Sequence, residues 1–216
     1  MNGFDFTLAG ARLTALGSGA LWWPEQQALC VSDLHLGKSE RHARRGGSAL
    51  PPYETQDTLS RLAAVLDGTN AKTVLSLGDS FDDDDASHAL PKAEQNLLAS
   101  LMQGRRWIWV EGNHDPSPAV FGGEHAAELK LGPLVFRHIA VPQAAAEVSG
   151  HYHPKARVRG TSRPAFLLDQ HRLILPAFGT YTGGLRSTDP VLTELMEPNA
   201  LALLTGPRPT AVPMPR

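Results

Sequence analysis

The sequence predicts an α/β protein in which two β-sheets pack against each other and helices cover the outside. In the first half, strand-like apolar runs alternate with helical periodicity, which is typical of βαβ units. After residue 128, short apolar runs separated by turns indicate mostly antiparallel β structure. The 216 residues, 42% of them hydrophobic, are enough for one substantial core.

The first half supplies the elements of the predicted βαβ units. Residues 4–8, 12–16 and 20–23 have the pattern of short strands, and residues 1–25 are interpreted as a β addition at the N-terminus. Strand-like runs follow at 28–31, 73–77 and 107–110, with helical patterns at about 54–66 and 91–102. These runs predict parallel strands connected by helices.

The second half is predicted to be rich in β structure up to residue 205. Apolar runs at 128–131, 134–137, 147–149, 165–168 and 172–175 are separated by turn residues such as Gly132 and Pro133. Residues 1–205 are therefore interpreted as a single domain. Residues 206–216 are rich in proline, which precludes a regular helix or central strand, and are interpreted as a tail.

The composition and net charge indicate the cellular compartment and restrict the kind of partner that the protein can bind. The formal net charge of −2 lacks the positive excess of a general polyanion binder, so any attraction for anions must be local. The single cysteine, Cys30, cannot form an internal disulfide and lies in an apolar run, which fits a buried strand thiol in a reducing compartment. The sequence shows neither a signal peptide nor the ~20 apolar residues of a membrane span. A cytoplasmic protein is expected.

Polar side chains with metal-binding chemistry follow the predicted strands. Short motifs come directly after the runs at 28–31, 73–77, 107–110, 134–137 and 147–149. Functional groups cluster at the carboxyl ends of strands in such sheets, so we expect these side chains to converge. The residues concerned are Asp33, His35, Asp79, Asn113, His114, Asp115, His138, His151 and His153.

The spacing and chemistry of these residues predict a hydrolytic metal site. Asp33 and His35 are two residues apart, so both side chains point the same way on an extended segment, and His151 and His153 repeat this spacing. A set of carboxylates and imidazoles without thiolates suits Mn, Fe or Zn. Two ions about 3.5–4 Å apart need a shared carboxylate, and Asp79, after the middle strand, is placed to bridge them.

Other polar residues have simpler interpretations. Each motif alone occurs by chance, and only their combination predicts a metal site. The acidic run 82–85 is interpreted as a solvated loop that caps the following helix and that could repel a phosphate. The remaining histidines lie in polar or turn-like stretches and are expected at the surface. They are His42, His88, His125 and His171.

In combination, the motifs resemble the signature of the calcineurin-like metallophosphoesterases. That signature runs D-x-H, G-D, G-N-H-D/E, H and G-H-x-H, and its five blocks are present between residues 33 and 153. The resemblance implies a four-layer α/β/β/α sandwich, with two mixed sheets flanked by helices. It also implies two divalent ions, with Mn²⁺ as the leading choice and Fe or Zn as alternatives.

The resemblance further implies a role for each residue. The first ion would be held by Asp33, His35, Asp79 and His153, and the second by Asp79, Asn113, His138 and His151. His114 would protonate the leaving group or stabilise the transition-state oxygens, and Asp115 would orient it. The reaction expected is in-line attack on phosphorus by a hydroxide that bridges the ions.

A narrower resemblance concerns the segments 32–38, 149–155 and 176–184. Together with the N-terminal β addition, they are similar to the bacterial ligase-associated DNA damage response endonucleases, a subfamily of these phosphoesterases. This similarity implies DNA as the substrate and a DNA-repair ligase or helicase as a partner.

Two basic stretches adjoin the metal motifs and are candidates for binding phosphate. The first holds Lys38, Arg41, Arg44 and Arg45, and the second Lys155, Arg157, Arg159 and Arg163. The residues of each stretch nearest the site, Lys38 and Arg41 on one side and Lys155 and Arg157 on the other, are the predicted substrate contacts. Solvated surface charge explains both stretches equally well. No long insertion that could form a lid separates the motifs, which leaves room for a macromolecular strand.

Two other classes of function fit the same sequence. A small-molecule enzyme, such as a cyclic-nucleotide phosphodiesterase or a nucleotide pyrophosphatase, would use the same ligands. A non-catalytic scaffold that binds protein partners is a third possibility, although a scaffold has no need for a complete ligand set together with His114. Dependence of activity on salt and on the basic residues distinguishes DNA from small substrates.

Overall fold

The computed structural model describes residues 2–44, 46, 51, 53–115 and 121–216. Arg45 lies outside the described residues. The first half contains β1 (Gly3–Leu8), β2 (Ala11–Leu16), β3 (Leu21–Trp23), β4 (Ala28–Val31), α1 (Lys38–Arg44), α2 (Glu54–Thr69), β5 (Thr73–Leu77), α3 (Asp84–Ala89), α4 (Lys92–Met102) and β6 (Arg106–Val110). The second half contains β7 (Glu124–Ala126), β8 (Glu128–Leu131), β9 (Leu134–Arg137), β10 (Glu147–Ser149), β11 (Lys155–Val158), β12 (Thr161–Leu168), β13 (Arg172–Ile174), α5 (Pro190–Leu195), β14 (Leu201–Leu204) and β15 (Thr210–Pro213).

The first sheet joins the N-terminal strands to the βαβ units. Its order is β1-β2-β3-β4-β5-β6-β7. The pairs from β1 to β4 are antiparallel and those from β4 to β7 are parallel. The predicted parallel strands are therefore confirmed, and the carboxyl ends of β4, β5 and β6 lie at one edge of the sheet.

The second sheet is built from the β-rich half of the chain. Its order is β15-β14-β12-β13-β10-β9-β8, and β11 pairs with β12 beside this path. β10 is parallel to both β9 and β13, whereas the other pairs are antiparallel. The predicted, mostly antiparallel second half is thus confirmed, and the sheet is mixed because of β10.

Three apolar clusters hold the layers together. Between the sheets, Trp23 stacks on Phe136 with ring centroids 6.5 Å apart. The outer face of the first sheet packs against apolar residues of α2 and α4, such as Leu62 and Leu98. The outer face of the second sheet packs against Leu192 of α5. The layers therefore follow the predicted order of helices, sheet, sheet and helix.

Cys30 lies buried in β4, as expected for a strand thiol that packs in the core. Burial raises the pKa of this thiol well above its ordinary range, which disfavours the reactive thiolate. Within the described part of the chain, the helices are too short or too polar to cross a bilayer.

The C-terminal segment differs from the tail predicted for residues 206–216. β15 pairs with β14 in antiparallel register, and the side chain of Met214 is only 6% exposed in the cluster around α5. Proline lacks an N–H donor, but an edge strand leaves one side of its backbone unpaired, so Pro213 is tolerated there. The proline-rich composition excludes a central strand and leaves an edge strand possible.

We expect Met214→Ala to lower the free energy of unfolding by about 2 kcal/mol, because it removes a buried side chain from this cluster. Arg208→Ala, at an exposed position of the same segment, should change it by less than about 0.5 kcal/mol. Urea titration of the three proteins measures both values. Equal stability of the two variants would show that the segment does not contribute to the fold.

Candidate metal centre

The polar residues singled out in the sequence converge where the two sheets meet. Asp33 and His35 follow β4, Asp79 follows β5, and Asn113 and His114 follow β6. From the second sheet, His138 follows β9, and His151 and His153 follow β10. The site therefore lies at the carboxyl ends of strands from both sheets, as expected for α/β architectures.

One group of potential ligands consists of Asp33, His35 and His153. Their donor atoms lie within 4.8 Å of one another. Nε2 of His153 lies 3.1 Å from Oδ1 of Asp33. The other oxygen of Asp33 accepts hydrogen bonds from the Ser32 hydroxyl at 2.5 Å and the His151 amide at 3.0 Å. These bonds fix the carboxylate so that Oδ1 points toward His153.

A second group consists of Asp79, His138 and His151, again with donor atoms within 4.8 Å of one another. Nδ1 of His151 lies 3.3 Å from Nε2 of His138. Oδ1 of Asn113 lies 2.9 Å from the same Nε2 atom and so adds a neutral oxygen to this group. Nδ1 of His138 contacts the carbonyl oxygen of Leu77 at 3.0 Å, which orients the ring.

Asp79 lies between the two groups. Its Oδ2 atom is 3.9 Å from Nε2 of His35 and 3.3 Å from Nε2 of His138. Its Oδ1 atom accepts a hydrogen bond from the His114 amide at 2.9 Å. Burial alone would raise the pKa of Asp79, but the contact with His138 and the amide bond hold it well below its ordinary range. Asp79 therefore presents an ionised oxygen to both groups of ligands.

The contacts in both groups suit a cation better than a network of hydrogen bonds. Nε2 of His35 and Nε2 of His153 are buried and have no hydrogen-bond partner among the described residues. Both atoms nevertheless face carboxylates, at 3.9 Å from Asp79 and 3.1 Å from Asp33. Buried nitrogens without partners are costly unless something pairs with them. A divalent ion in the first group would pair with these two atoms. In the second group, Nε2 of His138 faces oxygens of Asn113 and Asp79 at 2.9 and 3.3 Å, a position that a second ion would suit. The residues present therefore fit two ions.

Many of the potential ligands have left-handed backbone conformations. The φ angles are +55° at Asp33, +46° at His35, +45° at Asp79, +69° at His151 and +47° at His153. Such angles are uncommon for residues with side chains and cost free energy that the surrounding structure must offset. Their concentration at one edge of the sandwich marks this edge as a candidate functional site.

The loops after β4 and β5 are held together by backbone hydrogen bonds. The amides of Asp33, His35 and Leu36 donate to the carbonyls of Gly78, Asp79 and Ser80, at 3.2, 2.9 and 3.0 Å. Gly78 has a φ of +74°, and a side chain there would collide with the imidazole of His138. The glycine before Asp79 is therefore required both by its conformation and by the close approach of His138.

Asp82 differs from the prediction of a solvated acidic run. Its side chain is only 3% exposed, and its carboxylate lies 2.9 Å from Nδ1 of His35 and 2.7 Å from the guanidinium of Arg41. Asp83 caps a helix, since its carboxylate accepts a hydrogen bond from the Ala86 amide, but this helix is α3, which the sequence did not predict, rather than the predicted helix at 91–102. Asp82 instead orients His35, and nothing in the sequence of the acidic run distinguished it from its neighbours.

The contact of His114 also differs from the expectation. Nδ1 of His114 lies 3.1 Å from the carbonyl oxygen of Asp82. A carbonyl oxygen can only accept, so Nδ1 carries the hydrogen and Nε2 is left for other chemistry. The carboxylate of Asp115, expected to orient His114, accepts a hydrogen bond from the Phe81 amide at 2.9 Å. Asp115 thus joins the loops after β5 and β6, because its short side chain is buried beneath them.

Burial raises the pKa of Asp115 to about 7, and the negative charge of Asp79 contributes to this increase. For His138, burial lowers the pKa, but the carboxylates of Asp79 and Asp33 outweigh burial and leave it above its ordinary value. A proton on His138 competes with a metal ion for the same nitrogen. The affinity of this group for metal is therefore expected to fall as the pH falls.

The two basic stretches have different surroundings. On the first, Arg41 pairs with Asp82 and Asp83, and Arg44 pairs with Glu40, Asp83 and Asp85. Lys38 lies 3.7 Å from Asp82. Carboxylates therefore already neutralise the first basic stretch. They compete with a substrate phosphate for Lys38 and Arg41, which the sequence predicted to bind substrate.

Among the described residues, the second basic stretch is not neutralised by carboxylates. In the region that the structure describes, the cations of Lys155, Arg157, Arg159 and Arg163 form no ion pair with a carboxylate. The ammonium of Lys155 donates to the Thr182 carbonyl at 3.2 Å, and Nε of Arg157 donates to the Gly160 carbonyl at 3.2 Å. The β11–β12 hairpin is thus the cationic side of the site. The histidines predicted to lie at the surface are exposed: His42, His88, His125 and His171.

We expect Asp82→Asn to weaken Mn²⁺ binding about 10- to 100-fold, because groups that orient a metal-binding histidine contribute about this much to affinity. Asp85→Asn is the matched control, since its side chain is 79% exposed in the same acidic run. Titration calorimetry with Mn²⁺ measures both affinities. Equal affinity in the two variants would show that Asp82 does not position His35.

The fold matches known structures. The crystal structure of the Pseudomonas putida nuclease MPE is similar over 97% of this chain and 100% of that chain, with 25% sequence identity and a TM-score of 0.77. A conserved uncharacterised protein of Streptococcus pneumoniae TIGR4, a predicted phosphoesterase, shares 15% identity over 86% of this chain and 95% of its own. Its TM-score of 0.34 is too low to support an argument.

A search of curated proteins finds no match to this sequence. The profile of the calcineurin-like phosphoesterases matches residues 27–192, more than half of the chain. This match includes each of the residues that converge at the edge of the two sheets. The chain belongs to the calcineurin-like phosphoesterase family.

Proposed function

We propose that this protein is a DNA phosphodiesterase of the endonuclease type that depends on two divalent metal ions and acts in DNA repair. The observation that carries the proposal is the position of Asp79, whose Oδ2 atom faces a histidine of each ligand group. Enzymes that transfer phosphoryl groups with two metal ions need two adjacent sites that share a carboxylate. The two ions then stabilise both the attacking and the leaving oxygen.

In this proposal, each ligand group holds one ion. Asp33, His35 and His153 bind the first ion, and His138, His151 and Asn113 bind the second. Asp79 contributes to both. When bound, such ions lower the pKa of water toward neutrality and balance the charge of the phosphoryl group. The mixture of imidazoles and oxygens favours Mn²⁺ and also accepts Fe or Zn.

His114 is proposed to be the general acid. Its Nδ1 atom is committed to the Asp82 carbonyl, so Nε2 is the atom that holds a proton for the leaving oxygen. Its ring lies with its centroid 5.3 Å from that of His35, which places it beside the first ligand group. Asp115 supports this arrangement indirectly by joining the loops after β5 and β6.

Three observations support DNA over a small nucleotide. The Pseudomonas putida protein whose structure is similar over 97% of this chain is a nuclease. The segments 32–38, 149–155 and 176–184 resemble the ligase-associated DNA damage response endonucleases. The β11–β12 hairpin offers unpaired cations to a phosphate backbone next to His151 and His153.

The test of this proposal is an activity panel with added Mn²⁺. The substrates are bis-nitrophenyl phosphate, a 2′,3′-cyclic nucleotide, and single-stranded and double-stranded DNA, and Asp79→Asn is the inactive control. We expect cleavage of DNA and of bis-nitrophenyl phosphate. Cleavage of the cyclic nucleotide alone would make the protein a small-molecule phosphodiesterase, and no hydrolysis together with no bound metal would point to a scaffold.

We expect His114→Ala to lower kcat on DNA by about 10²- to 10⁴-fold, because the leaving alkoxide needs a proton. Mn²⁺ affinity should not change, since His114 belongs to neither ligand group. Nitrophenolate leaves as a stable anion, so the loss on bis-nitrophenyl phosphate should be smaller. Steady-state kinetics on DNA and on bis-nitrophenyl phosphate measure the two losses of kcat. Equal losses would contradict the role of His114 as general acid.

We expect Lys155→Gln combined with Arg157→Gln to weaken DNA binding and to flatten its dependence on salt. The slope of log affinity against log salt should fall by about 1–2 in magnitude, at roughly 0.7–0.9 per phosphate contact. The matched control is Arg12→Gln with Arg106→Gln, which removes the same charge from two ion-paired arginines distant from the site. A similar slope in both double variants would show that the hairpin does not contact DNA.

A further inference from the structure

We propose that Tyr181 determines how the substrate is held, by stacking its ring on a nucleobase next to the phosphate at the metal centre. The inference rests on the proposed action on nucleic acid and deepens it by assigning a site for the base. It starts from three features of Tyr181, namely its position, its exposure and its backbone conformation.

Tyr181 lies on a loop that is attached to the metal centre at both ends. At one end, the Gly179 amide donates to the carbonyl of Asp33 at 3.1 Å. At the other end, Gly184 and Leu185 line a pocket together with His153. Two residues of chain reach at most about 7 Å, so the backbone of Tyr181 is close to the first ligand group.

The loop is held firmly on both flanks. On one flank, the Thr180 hydroxyl donates to the carboxylate of Asp57 at 2.6 Å, and its amide donates to the Thr58 hydroxyl at 3.0 Å, which fixes the loop on α2. On the other flank, the Leu185 amide donates to the Tyr152 carbonyl at 3.0 Å. A ring on such a support is ordered before a ligand arrives, which reduces the entropy lost on binding.

Within the described residues, the side chain of Tyr181 forms no hydrogen bond and no ring contact. The residue is 45% exposed, and its backbone has a φ of +61°, a conformation that suits glycine or asparagine and is unusual for a residue with a bulky side chain. A loop selected only for its shape would favour one of those residues. Strain maintained at an exposed aromatic residue beside a metal centre indicates that the ring serves a ligand.

The charge around Tyr181 indicates which ligand this is. The Lys155 ammonium donates to the carbonyl of Thr182, the residue after Tyr181. Arg186 pairs with Lys155 through a β-bridge, and its guanidinium forms no ion pair among the described residues. An aromatic face beside unpaired cations matches a nucleotide unit, in which a flat base is attached to a phosphate.

The test compares two oligonucleotides of equal length, one with bases and one with stable tetrahydrofuran abasic residues over the cleaved stretch. For Tyr181→Ala, we expect KM on the base-bearing DNA to rise about 5- to 100-fold, the range for loss of one stacked base. The wild-type protein should show a similar rise when it is given the abasic DNA. The two losses should not add, because both remove the same contact.

Further variants separate stacking from structure. Tyr181→Phe keeps the ring and should retain the wild-type KM. Tyr181→Gly should raise KM as Tyr181→Ala does but leave the melting temperature equal or higher, because glycine relieves the backbone strain. Tyr53→Ala is the control for loss of an exposed tyrosine, since Tyr53 is 65% exposed at the start of α2, and its KM should equal that of the wild type.

The inference and the proposed function fail in different ways. If the wild-type protein cleaves neither oligonucleotide while hydrolysing bis-nitrophenyl phosphate, the action on DNA is wrong. If the wild-type protein cleaves DNA and Tyr181→Ala has an unchanged KM, stacking by Tyr181 is wrong. Additive losses for the variant and the abasic DNA, or a melting temperature lowered by Tyr181→Gly, would likewise overturn the assignment.

Discussion

The candidate site depends on the backbone pairing between the loop that carries Asp33 and His35 and the loop that carries Asp79. The hydrogen bonds between these loops continue the β4–β5 pairing beyond the ends of the strands. They hold several residues in left-handed conformations and bring carboxylates and imidazoles into contact. Without them, the strain and the like charges would separate the ligands, and Asp79 would face only one of the two groups.

The sequence predicted those elements whose boundaries are marked by local chemistry. β5 spans Thr73–Leu77, as predicted, because a single apolar run ends at a glycine that the site requires. The converging polar residues were predictable for the same reason, since each follows such a strand directly. Two of the elements that were missed, α1 and β15, have weak local signals. α1 (Lys38–Arg44) is almost entirely polar and is stabilised by ion pairs with the acidic run, and β15 contains a proline.

The prediction was weakest where a residue's role depends on its three-dimensional neighbours. Asp82, Asp83 and Asp85 are equivalent in sequence, yet one is buried against His35, one caps a helix and one is exposed. The basic stretches were also equivalent, and only the structure shows that carboxylates neutralise the side of α1. Burial and ion pairing depend on contacts between segments that are distant in the sequence. The residue pattern within one segment therefore could not predict them.

Asp82 serves two neighbours through two different chemical groups. Its carboxylate reaches His35, whereas its backbone carbonyl reaches His114. A change of side chain at this position alters the first contact and leaves the second in place, because every amino acid has the same carbonyl. Under the proposed function, substitutions at this single position can therefore change how the ions are bound in related proteins without changing how the proton is delivered.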